Sequence, residues 1–414
     1  MREIRSLVIS CWRPYGSQGG APLRNSQNVT GLRALGPVDV LTIGRHEDPL
    51  QPPGVRRWIY FEKEHRQRSL SGSWLLEPDY HPLIDGYYHA GAAAFLEESI
   101  AARAYDLVVI EQIACTSYLP LLKKGGMPVV FDDHNVEAPL RLTLDRQHNG
   151  RSGSDLTLQA ARWRVRHWIH GRRMAALERR ALRMPDMVWA CSAVDAKELL
   201  RLYAPCAPVR VVPNAVDVSA LASARAGRAS RPGAPVELVY VGSYDYHPNE
   251  EAALRLVREV KPTLRARGAA TRVTLVGRCP TPAMYAAASS DPDVTVTGAV
   301  DSIVPYLSGA AIMALPIMIG SGTRFKILEA FAAECPVVST RKGAEGIDAE
   351  DGTHLLLRET PEAFADAIVG LLADPPTTAR MTASAFALVR NRYSWEAAGR
   401  DIARSLGEIA ALLP

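Results

Sequence analysis

Apolar positions along the chain fall into short unbroken runs separated by longer stretches of helical period, the pattern of a strand–helix alternation. Residues 4–10 form the first run and open into a glycine-rich loop at 12–24, with a helix expected around 25–35. Further strands are expected at 38–43, 58–61, 107–110, 129–131, 187–191 and 209–212, and helices at 89–104, 156–184 and 193–203. Ser192 suits the N-cap of the last of these. Residues 219–235 lack an apolar period and read as an exposed connection. The alternation then resumes, with strands expected at 238–241, 272–276, 294–296, 310–315, 336–339 and 354–357. Its helices are expected at 249–267, 280–288, 302–308, 323–334, 361–373, 376–391 and 394–412. Two such halves imply doubly wound α/β domains, whose ligands bind beyond the carboxyl ends of the strands, with a cleft between them.

Composition agrees with this picture. The chain has 414 residues and is 47% apolar, enough for two or three full cores. No apolar run reaches the ~18 residues of a membrane span, and the run at 7–11 is too short for a secretory leader. The six cysteines are scattered, with no Cys-x-x-Cys pair. They read as buried thiols in a reducing cytosol and argue against zinc. A net charge of +4 does not imply nucleic acid. Arginines crowd 156–184 around Trp163 and Trp168. Two readings stay open there: a basic surface for an anionic membrane face or acidic acceptor, or a solvated face whose other side (Val165, Ile169, Leu177, Ala181) packs on the sheet.

The densest chemistry lies at 315–340. An apolar strand ends at Pro316, and Gly320 and Gly322 bracket Ser321. There the backbone can approach a ligand closely. The helix behind carries Thr323, Arg324 and Lys326 at its start and Glu329 one turn in. Free N–H groups and the helix dipole make such a terminus an anion site, here expected to hold a diphosphate.

Placed in order, 211–217 (Val-Val-Pro-Asn-Ala-Val-Asp), 240–243 (Tyr-Val-Gly-Ser), 297–300 (Thr-Gly-Ala-Val), the 320–338 block and 393–395 (Tyr-Ser-Trp) resemble the nucleotide-sugar half of the retaining GT-B glycosyltransferases of family 4. The first half matches more loosely, through Gly19-Gly20 and Asp133-His134-Asn135. The resemblance implies a GT-B α/β fold: an acceptor-side Rossmann-like domain (1–218), a linker (219–235), a nucleotide-sugar domain (236–392) and a C-terminal helix (393–414) crossing back to the first domain. The implied activity is a hexosyltransferase-type transfer from a nucleotide diphosphate sugar to an acceptor hydroxyl, with retention and without metal or other cofactor. No Asp-x-Asp pair is placed to hold a divalent ion.

The resemblance also assigns roles. Glu329 is expected on the ribose hydroxyls, and the backbone of Ala299 and Val300 at the base. Gly19 and Gly20 are expected at the diphosphate or transferred sugar, and His134 at a sugar hydroxyl or the reacting centre. Asp133 and Glu137 are candidate acceptor-side groups. Two departures stand out. Ser321 occupies the place of the first of two motif glutamates, and is the candidate beside the sugar. Ser243 and Asn249 occupy the places of an arginine and a lysine that hold the diphosphate in many members. Arg324 and Lys326 are expected to compensate, since guanidinium and ammonium groups suit phosphate. The partners implied are a nucleotide-sugar donor and a glycan, lipid-linked or small-molecule acceptor, in the cytoplasm or at the inner membrane face. A nucleotide-sugar 2-epimerase and a non-catalytic sugar-nucleotide binder are the alternatives.

Overall fold

The computed structural model describes residues 3–15, 19–44, 53–63, 82–140, 158–222, 235–320 and 322–413. Contacts divide the chain into two units, Met1–Asn214 with Ala398–Pro414, and Ala215–Ala397.

The first unit is built on β1 (Ser6–Ser10), β2 (Val38–Gly44), β3 (Arg57–Glu62), β4 (Leu107–Glu111), β5 (Val129–Asp133), β6 (Met187–Ala190) and β7 (Val209–Val211). They form one sheet in the order β3-β2-β1-β4-β5-β6-β7, with every pairing parallel. Side chains alternate across the strands. Leu7, Ile9, Val108 and Ile110 enter one core, whereas Val8, Leu107 and Val109 enter the other. Both faces are covered, so these strands read as continuous apolar runs. One face packs under the helix Gly20–Arg33 and, through Ile402 and Leu406, under the helix Trp395–Glu408. The two helices touch at glycines: a Cβ on Gly31 would stand 2.6 Å from Ile402 Cδ1 and 3.2 Å from Gly399 Cα. Trp189 Nε1 donates to Ser405 Oγ at 2.9 Å in the same layer.

The second unit holds β8 (Val236–Val241), β9 (Thr271–Val276), β10 (Val294–Gly298), β11 (Ile312–Leu315), β12 (Val337–Ser339) and β13 (Leu356–Leu357), in the order β10-β9-β8-β11-β12-β13. Pairing is again parallel throughout. Each sheet reverses direction of growth beside its first strand, at β1/β4 and β8/β11, which is the topological switch point of a doubly wound fold.

Three expectations need correction. The helix after β1 begins at Gly20 rather than near Asn25. Pro22 falls in its first turn, where a missing N–H costs nothing. Its inward face is polar (Arg24, Asn25, Gln27 and Asn28 are all buried), so no apolar period marked it. In the arginine-rich helix Leu158–Ala181, Val165 is 57% exposed and does not pack on the sheet, although Ala181 does. The helix expected at 323–334 runs only from Phe325 to Ala332. Gly322 at φ 75° and extended Arg324 delay its start, and left-handed Glu334 bars its continuation. All six cysteines are free; Cys11, Cys115, Cys191 and Cys335 are buried, Cys206 and Cys279 exposed. Ser321, most of the connection 219–235 and much of 46–80 and 138–160 lie outside the described residues. No helix among the described residues is long and apolar enough to cross a membrane.

Candidate functional site

In the second unit, three glycines finish three adjacent strands. Gly242 N donates to Val276 O at 2.9 Å, and Gly277 N to Gly298 O at 3.2 Å. Gly277 has φ 143°, and a Cβ there would stand 1.7 Å from Gly242 O. Only glycine permits this approach. The result is a floor of backbone at the carboxyl ends of β8, β9 and β10.

The turn after β11 stands beside this floor. Gly320 has φ 120°, and a Cβ on it would meet Arg324 Nη2 at 2.5 Å and the Tyr246 hydroxyl at 3.2 Å. Arg324 Nη1 donates to Gly322 O at 2.9 Å, which folds the guanidinium back over the turn. Thr323 is buried, and its Oγ1 has no hydrogen-bond partner among the described residues. A buried hydroxyl left so is costly unless a ligand meets it. Thr323 and Arg324 thus precede the helix Phe325–Ala332 rather than start it, and Ser321 between the glycines lies outside the described residues.

Lys326 does not project into solvent. It is 9% exposed, and its ammonium donates to Asn249 Oδ1 at 2.8 Å and to the Tyr240 hydroxyl at 3.2 Å. It lies 4.4 Å from the Tyr240 ring centroid and 3.2 Å from a Cβ built on Gly242. Asn249 Nδ2 in turn donates to Ser243 O at 2.8 Å. The ammonium therefore arrives at Asn249, a position where the resemblance leads one to expect a lysine, but it comes from a different helix. Burial and the neighbouring Arg324 guanidinium push its pKa down to about 7, against the pull of Glu329. Glu329, one turn on, is half-buried and makes no side-chain hydrogen bond to a described residue; burial pushes its carboxyl up to about 7, against Lys326. Ala299 is exposed and Val300 half-buried, just past β10, where Gly298 turns the chain at φ 72°.

Arg278, which the sequence did not single out, follows Gly277 at the end of β9. Its Nε donates to Ser243 Oγ at 2.6 Å, and Ser243 Oγ donates to Asp245 Oδ1 at 2.5 Å. No arginine motif marks it; the only signal was the glycine before it.

In the first unit, Gly19 caps the helix Gly20–Arg33 at φ 136° without a side-chain bond, and Gly20 is its first residue. Below lies a closed charge network. Arg24, 1% exposed, forks onto Asp132 through Nε (2.7 Å) and Nη2 (2.5 Å), and its Nη1 donates to Val212 O and Asn214 Oδ1, each at 2.9 Å. Asn28 Nδ2 donates to Asp132 Oδ2 at 2.8 Å and Glu111 Oε1 at 3.1 Å. His134 Nε2 stands 2.8 Å from Glu111 Oε2 and 3.1 Å from Asp132 Oδ2, and Nδ1 is 2.9 Å from Gln112 Nε2. Nε2 thus faces two carboxylates inside the unit, and Nδ1 meets the Gln112 amide, which presents its oxygen to Nδ1 when the ring is charged. Burial opposes the imidazolium, but hydrogen bonds from it to Asp132 and Glu111 prevail and push the pKa up to about 9. Burial beside Asp132 pushes Glu111 up to about 7. Asp132 itself is held down: burial opposes its charge, and Arg24 and His134 outweigh that. Two cations facing two carboxylates, at this depth, form a self-neutralising set. Glu111, Asp132 and His134 also form a group able to hold a metal ion, but the Arg24 fork already fills Asp132 and sets a positive charge against any such ion. Asp133 is buried, and burial with the nearby Glu178 and Glu137 carboxyls raises its pKa. Glu137 is half-buried and opens the helical stretch that follows β5.

Comparison with known proteins agrees with this architecture. Residues 29–220 match the model described as Glycosyltransferase Family 4, and residues 235–374 match Glycosyl transferases group 1. No curated protein sequence matches. Among solved structures, sucrose-phosphate synthase from Thermosynechococcus elongatus superposes at a TM-score of 0.71 with 18% identity, over 99% of this chain and 100% of that one. The Anabaena protein HepE, in a structure with UDP-glucose, gives 0.66 at 15% identity, over 98% and 100%. A structure titled trehalose-6-phosphate from E. coli, bound with UDP-2-fluoro glucose, gives 0.64 at 12% identity, over 97% and 98%. At these identities the likeness speaks for the fold; the two family models speak for the halves. The chain carries a family 4 glycosyltransferase domain followed by a group 1 glycosyltransferase domain, in the GT-B fold.

Proposed function

We propose that the protein transfers a hexose from a nucleotide diphosphate sugar to an acceptor hydroxyl, with retention at the anomeric carbon and without metal. The observation that carries this reading is the turn at Gly320–Glu329. It assembles a buried hydroxyl without a partner among the described residues, a folded-back guanidinium and a buried ammonium beside a floor of glycine backbone. In this reading Gly320, Gly322, Thr323, Arg324 and Lys326 hold the diphosphate. Asn249 and Ser243 brace the cations, Glu329 accepts the ribose hydroxyls, and the backbone at Ala299 and Val300 meets the base. Positive groups fixed in place stabilise the leaving diphosphate as its charge develops, a task a divalent ion performs elsewhere. Ser321 takes the role beside the sugar that the resemblance assigns to its position. The first unit serves the acceptor, with Gly19 and Gly20 at the transferred group and His134 oriented by its charged partners.

Structures of two similar proteins, by their titles, hold UDP-glucose and UDP-2-fluoro glucose, which supports a nucleotide-sugar donor here. The acceptor is a glycan, a lipid-linked sugar or a small molecule, and the protein works in the cytoplasm. The exposed Trp168 stacked by Arg172 at 4.8 Å supports contact of the arginine helix with the inner membrane face.

A donor panel tests the reading: ADP-, GDP-, UDP- and dTDP-sugars incubated with the protein, with release of nucleoside diphosphate measured with and without acceptor pools. The proposal expects acceptor-dependent release from one donor class. Ser321, in place of a carboxylate, favours a second reading, a binder without turnover. Tight donor binding with no release on any acceptor would support that one.

A further inference from the structure

We infer that Arg278 is a phosphate ligand of the same site, delivered by the loop after β9 instead of by the loop after β8. The inference rests on the donor-site reading above and extends it to a residue outside the Gly320–Glu329 turn.

Four observations carry it. First, Arg278 lies where ligands of a parallel sheet lie, beyond a strand's carboxyl end and one strand from the switch point at β8/β11. Second, its stem is fixed. Gly277 packs against Gly242 closely enough to exclude a Cβ, Tyr244 N donates to Arg278 O at 3.0 Å, and Arg278 Nε donates to Ser243 Oγ. Third, that bond uses the inner edge of the guanidinium, while Nη1 and Nη2 make no hydrogen bond or ion pair with any described residue, and the side chain is only half-buried. An anchored guanidinium with an uncommitted fork is preorganised for a two-point contact with phosphate oxygens. Fourth, Ser243 ties Arg278 to the lysine of the other element: Ser243 O accepts from Asn249 Nδ2, and Asn249 Oδ1 accepts from Lys326. Two cations from separate elements are thus braced on one segment, 242–249, which runs from the end of β8 into the helix His247–Arg255.

Asp245 is the one carboxylate of this chain of bonds. It is exposed and accepts the hydrogen bond of the Ser243 hydroxyl, which leaves Ser243 Oγ as acceptor for Arg278. The serine therefore works as a spacer that holds the guanidinium without neutralising it. A structural tie alone would need no free fork, so the two roles separate by experiment.

Binding of ADP, GDP, UDP and dTDP to the wild-type protein is measured by titration calorimetry. The tightest is then compared with its own nucleoside in Arg278→Ala, Arg278→Lys and Ser243→Ala. Arg278→Ala should weaken the diphosphate by about ten-fold or more and leave the nucleoside unchanged. Arg278→Lys should restore part of the loss, and Ser243→Ala should show a smaller, diphosphate-selective loss. Should Arg278→Ala fail to fold, Arg278→Gln, which keeps a donor toward Ser243, makes the same comparison. Equal effects on both ligands, or none on either, would overturn the role of Arg278 while leaving the donor site standing. Failure of the wild-type protein to bind any of the four diphosphates would overturn both.

Discussion

Lys326 is the residue whose chemistry departs most from its look in the sequence. Burial and Arg324 depress its pKa to about 7, and the groups around it are Glu329 from its own helix, Arg324 from the preceding turn, and Tyr240 and Asn249 from the β8 side. A bound diphosphate favours the ammonium, so binding takes up a proton wherever free Lys326 is neutral. Below about pH 7 the free site is already charged, and above it the affinity of the diphosphate should fall as pH rises. Glu329 works in the opposite sense. Its carboxyl, raised to about 7, ionises as pH rises through that value and becomes the better acceptor for ribose hydroxyls. Calorimetry at pH 6, 7 and 8 should therefore show nucleoside binding strengthening while the extra affinity given by the diphosphate shrinks, and Lys326→Met should abolish the second trend only. A diphosphate increment that changes with pH in the same way in the wild-type protein and in Lys326→Met would show that Lys326 is not the group in contact.

At the scale of elements, the strand ends decide where a ligand can come close. Gly277 tests this. Its left-handed φ and its approach to Gly242 O leave no room for a methyl group, so Gly277→Ala should destabilise the second unit by about 2–4 kcal/mol in chemical denaturation. Gly298, whose added Cβ meets nothing within 4 Å, should accept alanine at the smaller cost of its positive φ, about 1–2 kcal/mol. Strand–helix alternation was legible because strands buried on both faces are apolar throughout, and the helix Pro361–Ala373 falls where its period and caps place it. The turn at Gly320–Glu329 was legible for a related reason, since glycines, hydroxyl and cations lie together in sequence. What stayed hidden was assembled from distant segments. Arg24 meets Asp132, His134 meets Glu111, and Lys326 meets Asn249 only because the fold brings them together. The helix Gly20–Arg33 hid its start because it buries polar side chains, against the rule that buried helix faces are apolar. Arg278 was invisible because a lone arginine in a loop has no spacing to betray it.

Considered whole, the chain is two parallel-sheet units, and the first is completed by residues from its far end. Ile402 and Leu406 fill the core over β1 and β6, and Trp189 bonds Ser405. Close packing at Gly31 makes a sharp test: Gly31→Leu should cost about 2–3 kcal/mol by overpacking, while Gly399→Ala, whose Cβ would sit 3.6 Å from Gly31 Cα, should be tolerated. Melting of both variants checks it. The proposed donor site lies in the second unit, with cations on one short helix and its preceding turn assigned to a diphosphate and Glu329 to the ribose. The most direct measurement is calorimetry of one nucleoside and its diphosphate against the wild-type protein, Arg324→Ala and Glu329→Ala. Arg324→Ala should weaken the diphosphate about ten-fold or more with little change for the nucleoside, whereas Glu329→Ala should weaken both ligands alike. Equal losses for both ligands in Arg324→Ala would contradict the account and remove the turn at Gly320–Glu329 from the phosphate.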